Sequence, residues 1–156
     1  MAFYQFKREQ YFQQPISDIW DFISKPTNLK KITPDYMGFD IKSTNKFEAM
    51  YKGMIIPYKI SPLWGFKTTW VTEITQVQPQ KYFIDEQRIG PYKLWHHQHF
   101  LEEKEGGTVM IDIISYQPPL GLLGRIANKF IIKKKLIEIF NYRQKVLSKI
   151  FEKKDI

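Results

Sequence analysis

Residues 124–150 read GRIANKFIIKKKLIEIFNYRQKVLSKI, and no Gly or Pro follows Gly124 in the chain. Leu136, Phe140, Arg143, Leu147 and Ile150 succeed one another at steps of four, three, four and three. That spacing places them on one face of a helix. About 27 residues would run roughly 40 Å at 1.5 Å per residue, enough to lie across a whole sheet. A rod with one apolar stripe needs something to cover that stripe.

The preceding residues supply strands. The runs 38–43, 46–60, 66–78, 81–89, 92–103 and 107–117 are rich in Val, Ile, Thr, Tyr, Phe and Trp and are separated by turn signals. Gly90-Pro91 marks one hairpin and Glu105-Gly106-Gly107 another. Residues 2–12 read as a further strand, aromatic and partly alternating. Pro15 then opens a helix in a position where its missing N–H costs nothing, and Ile16, Ile19, Trp20, Phe22 and Ile23 give it an apolar face. Pro26 stops that helix, and 28–32 makes a second short turn before Pro34. Pro118-Pro119 ends the strands.

The order is strand, two short helices, six strands, long helix. Consecutive strands joined by short turns form an antiparallel meander. The expected class is therefore α+β: a curved antiparallel sheet of about seven strands, with the C-terminal helix across its concave face. Where helix and sheet do not close completely, a ligand cavity is left.

A chain of 156 residues fits one domain, 1–156, since a second would be too small to bury a core of its own. Its 12 Phe, 9 Tyr and 4 Trp are enough for that core and argue against disorder. There is no Cys, which excludes disulfides, thiolate metal sites and cysteine nucleophiles. Residues 1–14 are polar and aromatic rather than signal-like, and no run approaches the ~18 apolar residues of a membrane span. The expectation is a soluble, cytoplasmic protein without stable membrane insertion. The net charge of +8 is concentrated between Lys129 and Lys154, and no nucleic-acid motif accompanies it. A solvated helix face is the reading, with no nucleic-acid partner. From Leu120 to Leu136, the apolar Leu122, Leu123, Ile126, Phe130, Ile131 and Ile132 abut Lys129, Lys133, Lys134 and Lys135. This predicts a helix whose apolar side is core and whose lysines are solvated. A basic gate touching anionic membrane is the alternative.

Candidate chemistry concentrates in the central hairpin. Phe83, Asp85, Gln87 and Ile89 point one way; Ile84, Glu86 and Arg88 point the other. The face with two full charges close together is assigned to solvent, so Asp85 and Gln87 face the interior. A carboxylate buried there demands a partner. On the next strand Trp95, His97, His99 and Leu101 share a face. A three-residue turn at Gly90-Pro91-Tyr92 sets Gln87 opposite Trp95 and Asp85 opposite His97; a two-residue turn would break that pairing. Asp112 reaches the same patch from the following strand. Trp64, Phe66, Trp70, Tyr58, Tyr116 and Phe130 read as core or cavity wall. Arg143 interrupts the apolar stripe of the terminal helix and needs an acidic partner, from the sheet or from a ligand.

Certain residues carry a resemblance. Pro15 with Trp20, Phe22 and Ile23, then Asn28-Leu29 and Thr33-Pro34, form the opening. Phe83-x-Asp85-x-Gln87-x-x-Gly90-Pro91-Tyr92 leads into Trp95-His96-His97-x-His99-x-Leu101. Asp112, Tyr116-x-x-Pro119 and Phe140-x-Tyr142-Arg143 follow. Over nearly its whole length the chain resembles the START and polyketide-cyclase superfamily, SRPBCC, and within it a bacterial branch of ligand-binding domains. The resemblance implies the helix-grip fold and a bound small molecule.

The histidines admit three readings. In the first, Asp85 and Asp112 hold His97 and His99 in a buried polar network. In the second, the imidazoles orient the polar end of a ligand. In the third, they bind a metal or act as general base. His-x-His gives a metal only two imidazoles, and no spacing supplies the further ligands. No metal or cofactor is therefore expected. The function read from the sequence is binding of a hydrophobic or amphipathic small molecule by Asp85, Gln87, Trp95, His97, His99, Asp112, Tyr116, Trp70 and Arg143. The alternatives are a cyclase, dehydratase or hydrolase using His97 or His99 with Asp85 as acid/base, and a regulatory interaction domain without ligand.

Overall fold

The computed structural model describes residues 2–41, 49–61 and 67–152. Among them are seven strands: β1 Tyr4–Phe12, β2 Asp40–Ile41, β3 Ile55–Ile60, β4 Thr68–Gln78, β5 Tyr82–Ile89, β6 Leu94–Lys104 and β7 Gly107–Gln117. They form one antiparallel sheet in the order β1-β7-β6-β5-β4-β3-β2. Helix α1 (Ile16–Ile23) and two short 3₁₀ turns, Pro26–Ile32 and Asp35–Met37, follow β1. The C-terminal rod is α2 (Gly121–Ala127), a π-helical turn (Asn128–Ile132) and α3 (Lys133–Glu152) in unbroken succession. This is the α+β helix-grip arrangement.

The rod is fastened to the first strand and the residues just after it by side-chain amides. Gln10 Nε2 donates to the Gln144 carbonyl at 3.0 Å and to Ser148 Oγ at 3.1 Å, and Gln14 Nε2 donates to the Phe151 carbonyl at 2.9 Å. Around these bonds Leu147 and Phe151 pack with Phe12, Ile19, Trp20, Phe83 and Leu101. Leu136 and Phe140 pack further along on Ile114 and Tyr116. The stripe that interrupts itself at Arg143 is thus the stripe that meets the sheet.

Several expectations are corrected. Of the strand expected at 46–60, residues 46–48 lie outside the described residues and the described strand begins at Ile55, because Gly53 takes φ +87° in a turn that returns Gly53 N to the Ile74 carbonyl at 2.7 Å. The strand expected at 92–103 starts at Leu94, leaving Tyr92 in the hairpin loop. Of the strand expected at 38–43, Asp40–Ile41 is observed, and 42–43 lie outside the described residues. Trp64 and Phe66 lie outside the described residues. Ile84 is only 6% exposed although its face was assigned to solvent. It stands mid-sheet between its cross-strand neighbours Gln76 and Gln98, which shield it from both sides. Ile89 was expected inside and is 59% exposed, since the β5–β6 ladder ends at Glu86↔His96 before reaching it.

The terminal rod departs most. Gly124, Asn128, Ile132, Leu136 and Phe140 are buried, a repeat of four. A pure α-helix would turn such a row by about 40° at every step, and the wider π turn offsets part of that drift. Leu122, Leu123, Ile126 and Phe130, expected as core, are between 51% and 69% exposed. The row they occupy faces away from the sheet.

Candidate functional site

The period-two alternation of β6 turns Trp95, His97, His99 and Leu101 to the face that α3 covers, and the hairpin register places Asp85 directly opposite His97. The next ladder pairs His99 with Asp112. Four polar side chains from three adjacent strands therefore meet beneath Arg143 of α3.

Their contacts converge on two oxygens. Asp112 Oδ1 lies 3.0 Å from His97 Nε2, 2.8 Å from His99 Nδ1 and 4.0 Å from Arg143 Nη1. Asp85 Oδ1 lies 2.8 Å from His99 Nε2 and 3.6 Å from His97 Nδ1. The His97 and His99 ring centroids are 3.7 Å apart, and His99 stacks on Phe83 at 4.0 Å. His97, His99 and Asp112 are buried.

Burial and partners set the charges. Desolvation, reinforced by the neighbouring His99, lowers His97 to about 4, so it is neutral near pH 7. Burial also opposes charge on His99, but the bonds to Asp112 and Asp85 outweigh it and its pKa is raised. Burial works against ionisation of Asp85 and Asp112 too, and the imidazoles hold both below the ordinary carboxylate value. Two carboxylates, one imidazolium and one guanidinium then cancel, which is what a buried cluster requires. Since ionised Asp112 can only accept, neutral His97 donates from Nε2. Its Nδ1 is then an acceptor 3.6 Å from Asp85, outside hydrogen-bond reach.

The cluster floors a cavity of about 160 Å³ between sheet and helix. Trp70, Tyr58, Tyr92, Trp95 and Phe140 supply aromatic lining, and Ile132 and Leu136 of the rod line it as well. Tyr58 is the direct cross-strand partner of Trp70, and its hydroxyl is 3.1 Å from Thr72 Oγ1. Two buried donors in the lining, Trp70 Nε1 and Arg143 Nε, have no hydrogen-bond acceptor among the described residues.

Of the residues singled out in the sequence, Asp85, Trp95, His97, His99, Asp112, Trp70 and Arg143 line this cavity. Gln87 and Tyr116 do not. Gln87 clamps the hairpin instead, its Nε2 donating to the Tyr92 carbonyl at 2.7 Å and its Oε1 accepting from Tyr92 N at 3.2 Å. Tyr116 donates to Asn128 Oδ1 at 2.7 Å and so ties β7 to the π turn. Phe130 is exposed rather than a cavity wall. His96 faces the opposite side, its Nδ1 3.0 Å from Glu86, which also pairs with Arg88. Tyr92 and Thr72 were missed. The pairing of Tyr58 with Trp70 in the β3–β4 ladder was the signal for that wall.

Asp85, His97 and His99 offer ligand atoms within 4.8 Å of one another, a two-imidazole, one-carboxylate set. Yet both nitrogens of His99 already face carboxylates, and Arg143 adds a cation beside Asp112. A hydrogen-bonded, charge-neutral network fits these donors better than an ion does.

The element order, the seven-stranded antiparallel sheet and the gripping helix define the helix-grip fold. Solved structures carry the same fold. The chain is similar to CV1439 from Chromobacterium violaceum (13% identity, 95% of this chain and 96% of that one, TM-score 0.70). It is also similar to TTHA0849 from Thermus thermophilus (12%, 98% and 100%, TM-score 0.69) and to major latex-like protein 151 from Panax ginseng (8%, 97% and 99%, TM-score 0.67). No protein-family model matches the chain, and no curated protein sequence does.

Proposed function

We propose that the chain, as one domain in the cytoplasm, binds a small amphipathic molecule of about single-ring size, whose polar end carries an acceptor oxygen. The observation that carries this is a pair of buried donors, Trp70 Nε1 and Arg143 Nε, without a partner among the described residues, in a lining that is mostly aromatic and aliphatic. Leaving such groups unpaired costs about 1–3 kcal/mol each, which a carbonyl, ether or carboxylate oxygen would recover. A cavity of 160 Å³ is comparable with one that accepts benzene. A flat ring between Trp70, Tyr92 and Trp95 makes the offset and edge contacts that aromatic pairs favour. The cysteine-free composition fits a reducing compartment, and the resemblance to ligand-binding SRPBCC domains points the same way.

The acid/base reading is weaker. His99 has both nitrogens engaged, and His97 at about 4 is a poor base near neutral pH. An interaction domain without ligand leaves the two donors unexplained.

Native mass spectrometry of freshly purified protein, followed by titration with single-ring compounds with and without a carbonyl or carboxylate, tests the reading. Compounds bearing the oxygen bind more tightly. Trp70→Phe, which keeps a ring and removes the N–H, erases roughly tenfold of that preference and leaves hydrocarbon affinity unchanged. Equal affinity of parent and variant for all compounds would refute it.

A further inference from the structure

The rod presents three parallel rows between residues 122 and 133. Gly124, Asn128 and Ile132 are buried against the sheet. Leu122, Ile126 and Phe130 form a second row, 69%, 51% and 57% exposed, with Leu120 and Leu123 beside it at 72% and 68%. Arg125, Lys129 and Lys133, all exposed, form the third, and exposed Lys134 extends it. Equal spacing of four keeps the rows in register along the π turn, so the apolar ridge has a cationic row running along its flank. From residue 118 to 137 there is no acidic side chain. Arg125, Lys129, Lys133 and Lys134 form no ion pair among the described residues, and Lys129 Nζ instead lies 5.5 Å from the Phe130 ring centroid.

Single exposed apolar side chains need no explanation, but five large ones clustered between Leu120 and Phe130 do. We propose that this ridge docks the protein peripherally on an anionic phospholipid surface, Leu122, Ile126 and Phe130 entering the acyl boundary while the cationic row meets the head-group phosphates. The charge pattern selects that occupant. A second copy would bring like charges together. A nucleic acid would satisfy the cations but press five apolar side chains against phosphate. A lipid interface takes both halves at once, grease below and anions beside it. No helix among the described residues is long and apolar enough to cross a membrane, so the contact is interfacial. The proposal is independent of the identity of any cavity ligand.

Flotation with vesicles of phosphatidylcholine alone, and of phosphatidylcholine with about 30% phosphatidylglycerol, tests it. The full chain floats with the anionic vesicles and not with the neutral ones, and raised salt releases it. Leu122→Ser/Ile126→Ser/Phe130→Ser and Lys129→Glu/Lys133→Glu each weaken partitioning about tenfold or more, with thermal melts close to the parent because the side chains are exposed. The absence of cysteine permits a second readout that does not depend on those variants. Leu123→Cys carrying an environment-sensitive fluorophore shifts its emission to the blue on anionic vesicles only. Failure to float with anionic vesicles, an unshifted label, or loss in the charge variant alone would each overturn the proposal. The last result would mean surface electrostatics without apolar docking.

Discussion

His99 lies flat on Phe83, ring centroids 4.0 Å apart and planes 17° apart, and this stacking turns both of its nitrogens edge-on to carboxylates. Asp85 takes one nitrogen and Asp112 the other, each at 2.8 Å. A residue with two acceptors so placed is a cation, and burial, with that charge beside it, holds His97 neutral.

The two imidazoles consequently give opposite slopes to the stability curve. His97 is lowered from 6.5 to about 4, so between those values the unfolded chain takes up a proton that the folded one refuses. Stability falls as pH drops through that window, by on the order of 3 kcal/mol. His99 is raised, so its contribution is full below 6.5 and is lost as pH rises through its folded value. Urea denaturation across pH should show His97→Gln flattening the acid limb and His99→Gln flattening the decline above 6.5. A His97→Gln curve parallel to the parent would contradict the neutral assignment.

Asp112 is the anion on which His97, His99 and Arg143 converge. Asp112→Asn leaves two buried cations facing one carboxylate and should cost about 3–5 kcal/mol in denaturant unfolding. Adding His99→Gln should recover part of that loss, a non-additivity that a double-mutant cycle reads directly. Strict additivity would show that the charges do not communicate.

The clamp between Gln87 and Tyr92 depends on Gly90, since a Cβ there would collide with the Gln87 side chain. Gly90→Ala and Gln87→Ala should each lower stability by about 1–2 kcal/mol. Together they should cost little more than either alone. Additive losses would mean the glycine serves another purpose.

Tyr116→Phe removes the hydrogen bond that holds buried Asn128 Oδ1. The expected cost is about 1–3 kcal/mol, expressed locally. Amide exchange should quicken over residues 121–132 and stay unchanged beyond Leu136. Uniform acceleration along the rod would place the tether elsewhere.

What the sequence revealed follows from which forces are local. The alternation of Trp95, His97, His99 and Leu101 is a property of one strand, and the turn at Gly90-Pro91-Tyr92 fixed Asp85 against His97, as the ladder has it. Arg143 announced its need for an acid by breaking an apolar row, and Asp112 lies at 4.0 Å. Ile84, Ile89 and the Leu122–Phe130 row were misread for a shared reason. Periodicity identifies a face but carries no record of what, if anything, lies over it. Burial of Ile84 depends on strands paired from either side, and exposure of Ile89 on where a ladder stops. The π turn, which keeps the buried row on course, has no local sequence mark of its own.

The pairing of β1 with β7, from Tyr4↔Tyr116 to Phe12↔Thr108, has a consequence for the nascent chain. The aromatic first strand leaves the ribosome long before its neighbour exists, and its long-range partner imposes a high contact order. During synthesis its unsatisfied backbone edge is open to other chains. Folding should accordingly be slow, chaperone-assisted, and complete only once β7 and the rod behind it have been translated.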